Sequence, residues 1–410
     1  MEERKVEMRQ RKITPIVLVY ILFSVGTGAM LLSLIVSKGA FLEKIVYDFS
    51  YFADFFDHVR RFYLGLDNVY LEGMHACFPP LAYMLYGLTA SVIYRQNIDN
   101  PDAVSTNGAG MLVLCMLTAM LAAGFVFAAF RLYQEQNMAA KKFLIGLLLV
   151  SYPFWLAIER GNMSLVVLIV LLYAMALMDS EKGWERELAL ILIAIAAGLK
   201  LYPAVFGVLY LAEKRYREAA RLVLYGLFFF LAPFLFFQGA IGLKLFLHNI
   251  SAVNSGATGV SITGITGRIG VALGVDLALA HSIGKVISGM YFAVVLLLCF
   301  SRGKSWKTIT LLSSLMIVFV AASGTYCLIY CVIPFLIYLN EMRKKESYKK
   351  LDYVYAVLFT QVFTAYPVKA FGSSGMLYIS LYLLLAVLIV DEGWQAVRTW
   401  TDRRKQVCSE

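Results

Sequence analysis

Apolar runs of helical length follow one another along almost the whole chain, and they decide what it can fold into. A bilayer's hydrocarbon core is ~30 Å thick, and a helix needs ~20 apolar residues to cross it. Spans are read at 14–36, 108–130, 142–158, 163–178, 188–199, 201–212, 222–237, 283–300, 308–322, 325–340, 353–371 and 375–390. Only helices or closed barrels satisfy their backbone in lipid, and these runs are too long and too uniformly apolar for barrel strands. The expected class is an all-α polytopic integral membrane protein, one transmembrane domain over 1–410. Composition agrees. The chain is 60% hydrophobic and 16% charged, against roughly 45–50% and about 25% in soluble domains. That excludes a soluble enzyme, a disordered tail protein and a disulfide scaffold. The six cysteines are scattered without a Cys-x-x-Cys, and Cys327 and Cys331, four apart on one span, read as packing residues.

Charge sets the expected sidedness. The net charge is +10; on a soluble chain this would suggest nucleic acid, but no such partner is expected here. Basic residues cluster at 1–12, 131–142, 179–187, 213–221, 301–307, 341–351 and 391–410, which hold 26 of the 37 Lys and Arg. By the positive-inside rule these stretches are cytoplasmic. Both termini are then cytoplasmic in a multi-pass plasma-membrane protein, and the first span is an uncleaved helix. Residues 37 and 107 both come out external. Segment 79–94 is therefore either re-entrant or partnered by a further crossing, which leaves twelve or fourteen spans. The segments 188–199 and 201–212 flank Lys200-Leu201-Tyr202-Pro203 and read as a broken pair. Two external segments are long, 37–78 and 238–282, and long loops in compact proteins are often functional.

Chemistry is sought at that outer face. In the first loop Phe49, Phe52, Phe56, Val59 and Tyr63 fall at helical spacing, with Asp54, Asp57, His58 and Arg61 on the other side. This predicts an amphipathic helix in the membrane interface. Asp54 and Asp57 read as solvated partners of His58 and Arg61 at i+4. Asp48 precedes the helix, as an N-cap or as a carboxylate held at the surface for general-base work. Pro79-Pro80 fixes the entry to the next helix. Arg160, beside Glu159, and Lys200, with no acidic neighbour in sequence, are embedded between apolar runs. Ionisable groups there cost roughly 2.5–3.5 kcal/mol on insertion scales and default to a functional reading. The plainer readings are an Arg160–Glu159 pair and a snorkelling Lys200. Together the two cations suit a lipid phosphate. The second loop carries His248 and a Gly-rich run with Ser261, Gly264 and Arg268, whose glycines suggest mobility. All four histidines (58, 75, 248 and 281) fall in the two loops, at spacings that match no metal motif. No Asp-x-Asp is present.

Over about 40–340 the pattern resembles the polyprenyl-phosphate-sugar-dependent glycosyltransferases of the GT-C fold, nearest glycosyltransferase family 87, a mannosyltransferase-like group. The pieces are Asp48-x-x-Tyr51, Phe78-Pro79-Pro80-Leu81, Gly161-Asn162-x-x-Leu165, Gly198-Leu199-Lys200-Leu201-Tyr202-Pro203, and Ser261-Ile262-Thr263-Gly264 with Arg268. The chain departs from the pattern in three places. Arg160-Gly161 replaces the usual Gln, Gly259 stands for an Asn, and Ser323-Gly324-Thr325-Tyr326 occupies a place where some members have His.

The resemblance implies a GT-C-like bundle of about 12 to 14 transmembrane helices with amphipathic helices in the first extracytoplasmic loop. It implies an inverting, metal-independent transfer of a hexose, mannose first, from a polyprenyl-phosphate donor to a hydroxyl on a glycolipid or cell-envelope glycan. Asp48 is then the base. Lys200 and Arg160 bind the donor phosphate. Tyr51, Asn162, Tyr202, His75, His248, Arg268 and Tyr326 line the donor or acceptor site. No cofactor is expected; the partners are the lipid-linked sugar, the acceptor and membrane lipid. A transporter or lipid flippase is the alternative, favoured by the broken pair around Lys200, though no internal repeat is visible. A ligase or polymerase using a diphosphate-linked donor is a third reading.

Overall fold

The first span starts where Thr14 accepts the Val17 N–H at 3.3 Å and Pro15 fills the first turn, where a missing N–H costs nothing. The computed structural model describes residues 13–41, 52–71, 76–93, 108–255, 258–364 and 378–407. Helix α1 runs Pro15–Val36, 22 residues, or about 33 Å at 1.5 Å per residue. Val17, Ile21, Val25, Leu32 and Ile35 face outward, whereas Val19, Phe23 and Met30 are buried. An apolar outer stripe of that length is stable only against lipid.

The other helices are α2 (Ala53–Val59), α3 (Pro80–Ile93), α4 (Gly108–Leu132), α5 (Met138–Leu149), α6 (Tyr152–Arg160), α7 (Ser164–Leu177), α8 (Gly183–Leu199), α9 (Gly207–Ala212), α10 (Tyr216–Leu231), α11 (Ala240–Ser255), α12 (Ile262–Ala272), α13 (Leu277–Arg302), α14 (Trp306–Ser314), α15 (Val332–Lys344), α16 (Lys350–Phe363) and α17 (Ile379–Val407). The sole sheet among the described residues is a parallel pairing of β1 (Thr258–Gly259) with β2 (Ala322–Ser323).

Among the described residues six helices are long and apolar enough to cross a membrane. The bent pair α5–α6, 51° apart at Ser151, makes a seventh if it counts as one span. Pro153, in the first turn of α6, supports the bend. The expected twelve or fourteen crossings are not each matched by a helix of spanning length. Several apolar runs instead form short helices inside the bundle. In α7, only 14 residues long, Val167, Leu168, Leu171 and Leu172 are fully buried, so protein surrounds it where lipid would demand ~20 residues. The broken pair is present. Helix α8 stops at Leu199, Lys200 is extended at φ −147° and ψ 133°, and a 3-10 turn over Tyr202–Phe206 with Pro203 in it leads into α9.

Both long loops differ from expectation. Helix α2 packs against α3 and α6, and its would-be polar face is buried: His58 is 5% and Arg61 1% exposed. It is a packed element of the fold. In the second loop the glycines serve close packing. A Cβ on Gly270 would lie 2.4 Å from Ala280 Cβ, and one on Gly284 would lie 2.7 Å from Thr263 Cα. Helices α12 and α13 therefore pack tightly together. Asn249 Nδ2 donates to the Tyr70 and Ala76 carbonyls at 3.0 and 3.2 Å, joining the two loops.

The basic stretches also gather. Arg215 and Lys304 both pair with Asp179, Arg343 pairs with Glu135, and Lys307 pairs with Asp391 and Glu392. These contacts link 131–142 with 341–351, and 179–187 with 213–221 and 301–307. Cys327 and Cys331 are both buried, and Cys327 also borders the cavity described below.

Candidate active site

The turn after α6 builds the polar end of a cavity. Gly161 ends the helix at φ +59°, and a Cβ there would meet the Phe55 Cβ at 2.6 Å. Only glycine suits both the left-handed turn and this close approach. The turn presents Asn162. Its Oδ1 accepts from Ser164 N–H at 2.9 Å, Ser164 Oγ at 2.7 Å and Lys200 Nζ at 2.6 Å. Lys200 Nζ also donates to Ser164 Oγ at 2.8 Å. Around the ammonium stand the rings of Phe78, Tyr202 and Tyr326, with centroids at 4.8, 5.5 and 5.6 Å. Lys200 is 4% exposed and has no carboxylate within ion-pair distance among the described residues. The snorkelling reading of this lysine is therefore overturned.

Asp54, on the first turn of α2, faces the same group. It accepts from Asn162 Nδ2 at 2.6 Å and forms an ion pair with Arg160. Neither plainer reading of these charges holds: the carboxylate that pairs with Arg160 is Asp54, and Asp54 is no solvated partner of His58. The Asp57–Arg61 pair is present at 3.0 Å. Burial pushes the Asp57 carboxyl upward, but Arg61 above all, with smaller pulls from His58 and Arg60, outweighs it and holds it below the ordinary carboxylate range. His58 is caged by Phe78 and Tyr86, with ring centroids at 4.3 and 5.1 Å, and its Nδ1 meets the Tyr83 hydroxyl at 3.3 Å. Burial pushes the imidazole down to about 4, against the pull of Asp54 and Asp57, so it is neutral near pH 7.

These groups open onto a cavity of about 790 Å³. Asp54, Asp57, His58, Asn162, Lys200 and Tyr326 line its polar part, and Val205, Ile250, Val253, Phe292 and Phe319 line an apolar part. Two lysines border this cavity, the buried Lys200 and the exposed Lys285, and cations beside a largely apolar chamber suit an amphiphile with an anionic head.

Of the residues singled out from sequence, Asn162, Lys200, Tyr202 and Tyr326 line this cavity, and Arg160 joins it through Asp54. His248 is exposed on α11. Arg268 donates to the Gly259 carbonyl at 2.6 Å and lies over the Tyr378 ring. Neither His248 nor Arg268 lines the cavity. Asp48, Tyr51 and His75 lie outside the described residues. Sequence reading missed Asp54 and Ser164 as parts of the site. Among the described residues no three of His, Cys, Asp and Glu come together as a metal site would require.

The family model of glycosyltransferase family 87 matches residues 77–324, more than half of the chain. The chain belongs to glycosyltransferase family 87. It is thus a membrane glycosyltransferase, an enzyme that transfers a sugar. No curated protein and no solved structure matches it. The match to family 87 takes in Arg160, Asn162, Lys200, Tyr202, His248 and Arg268; it starts after Asp48 and Asp54 and stops before Tyr326.

Proposed function

We propose that this family 87 enzyme transfers a hexose, mannose in the first instance, from a polyprenyl-phosphate donor to a hydroxyl of a glycolipid or cell-envelope glycan. The observation that carries the reading is the buried Lys200 ammonium at the head of a largely apolar cavity, with neutral hydrogen-bond partners. Among the described residues this charge has no counter-ion, which is costly, and a lipid phosphate would remove that cost. The apolar chamber fits the prenyl chain. The acceptor oxygen attacks the anomeric carbon as its bond to the phosphate oxygen breaks. The hydroxyl proton passes to a carboxylate, for which Asp48 is the candidate, four residues before Phe52. Phe52 is itself pinned by its N–H to the Glu159 carbonyl at 2.6 Å. The polyprenyl phosphate leaves with an added negative charge. Lys200 stabilises it, with Arg160 adding to the local field. One displacement inverts the anomeric centre. The donor carries a single phosphate and these side chains supply the cations, so no metal is needed for this step. Sidedness follows the charge pattern: site outside the plasma membrane, termini within.

The test is to incubate the purified protein with polyprenyl-phosphate mannose or glucose and membrane lipid extracts. Sugar transfer from the monophosphate donor, inverted at the anomeric carbon, is expected; transfer only from a diphosphate-linked donor overturns the reading. Asp48→Asn should lower turnover by about 10²–10⁴-fold with donor binding intact. Lys200→Ala should weaken the donor. Full activity in either variant removes that residue's role.

A further inference from the structure

Asp54 has no catalytic role in the scheme above, yet it sits at the centre of the polar network. The Asn162 side chain has one acceptor oxygen and one donor NH₂ group. Three donors converge on its Oδ1, from Lys200 Nζ, Ser164 Oγ and Ser164 N–H. Its Nδ2 faces Asp54 Oδ2. Turning the amide over would set NH₂ against an ammonium and two further donors, and oxygen against a carboxylate. Both sides of the amide would then clash electrostatically.

We infer that Asp54 is a positioning residue: it fixes the Asn162 amide, and through that amide the place of the Lys200 ammonium. Three features support this. Asp54 Oδ1 is held by Arg160, so the carboxylate cannot rotate freely. The start of α2 is tied to the last turn of α6, just before Asn162, by the Phe52 N–H to Glu159 carbonyl bond, so both ends of the link share one anchor. Two of the three Lys200 N–H groups are taken, by Asn162 and Ser164, which leaves the third for a ligand in the cavity. Each Asp54 oxygen already has a donor, so it is poorly placed to accept a proton from substrate. The assignment separates two carboxylates of one loop. Asp48 handles the proton, and Asp54 orients the phosphate-binding cation.

This inference rests on reading Lys200 as the phosphate contact, and the experiment separates the two. Polyprenyl phosphate is titrated against purified full-length wild type, Lys200→Ala, Asp54→Asn, Asp54→Glu, Asn162→Ala and the Asp54→Asn/Asn162→Ala double variant. In parallel, Lys200 is modified with an amine-reactive reagent under native conditions and the adduct is followed by mass spectrometry. Asp54→Asn and Asn162→Ala should each weaken binding by about tenfold, the worth of one charge-assisted hydrogen bond. The double variant should be no weaker than the weaker single one. Both single variants should speed modification of Lys200, and Asp54→Glu should recover part of both losses. Wild-type binding and wild-type modification rates in Asp54→Asn overturn the proposal, as do losses that multiply in the double variant. If Lys200→Ala binds as tightly as wild type, the phosphate reading falls, and the modification rates alone then decide the role of Asp54. If Asp54→Asn does not fold, an unchanged Lys200 modification rate in Asn162→Ala overturns the link.

Discussion

His58 shows what burial does to a single titratable group in this protein. Its imidazole is held at about 4 in the folded chain, against 6.5 when exposed. Between those values the unfolded chain binds more protons, so stability falls as pH drops from 6.5 toward 4, by up to about 3 kcal/mol. Above 6.5 this group contributes no slope. Thermal unfolding of the detergent-purified protein should show a midpoint that declines over that window, and His58→Phe should flatten the decline. An equal slope in both proteins would sink the idea. Lys200 was legible in the sequence because a charge between apolar runs has an insertion cost that demands a reason. Asp54 was not. Residues four apart do meet on a helix, and Asp57 meets Arg61 in that way. Asp54 instead finds partners 106 and 108 positions away, which no local rule can supply.

At the level of elements, hydropathy located nearly every helix, and Pro203 marked the break after α8. It could not separate a helix that crosses lipid from one that is short and wrapped in protein, because both are apolar. Hence α7 and α14 read as spans. Nor could it see that a glycine-rich loop folds as a helical hairpin, because glycine serves flexibility and close packing equally well. Gly284 distinguishes the two uses. Its Cβ would press on the Thr263 backbone, which cannot yield as a side-chain tip can. Gly284→Ala should therefore cost about 1–3 kcal/mol, as overpacking does, seen as a lower unfolding midpoint. Gly226, mid-helix in α10, has nothing within 4 Å of a built Cβ. Gly226→Ala should gain about 0.5–1 kcal/mol. A hairpin that tolerates Gly284→Ala as Gly226 does would mean that α12 and α13 are not tightly packed.

For the whole molecule, the basic stretches meet one another and the polar cavity residues meet one another. The proposed sidedness sets the basic stretches on one face and the cavity on the other. Cysteines placed at His248 and Lys345, in a background without the native six, should report that division. A membrane-impermeant thiol reagent should label His248→Cys in intact cells and Lys345→Cys only after permeabilisation; the reverse pattern would invert the proposed topology. The pairing of Thr258–Gly259 with Ala322–Ser323 carries a consequence for biosynthesis. The first strand leaves the ribosome 64 residues ahead of its partner, 258 to 322. At about 5–20 residues per second the nascent second loop waits roughly 3–13 s for the edge that completes it. Tyr326, which covers Lys200, is translated later still. A chain stalled before residue 322 would carry its key cation in a chamber missing one wall, so completing synthesis and completing the site are the same late event.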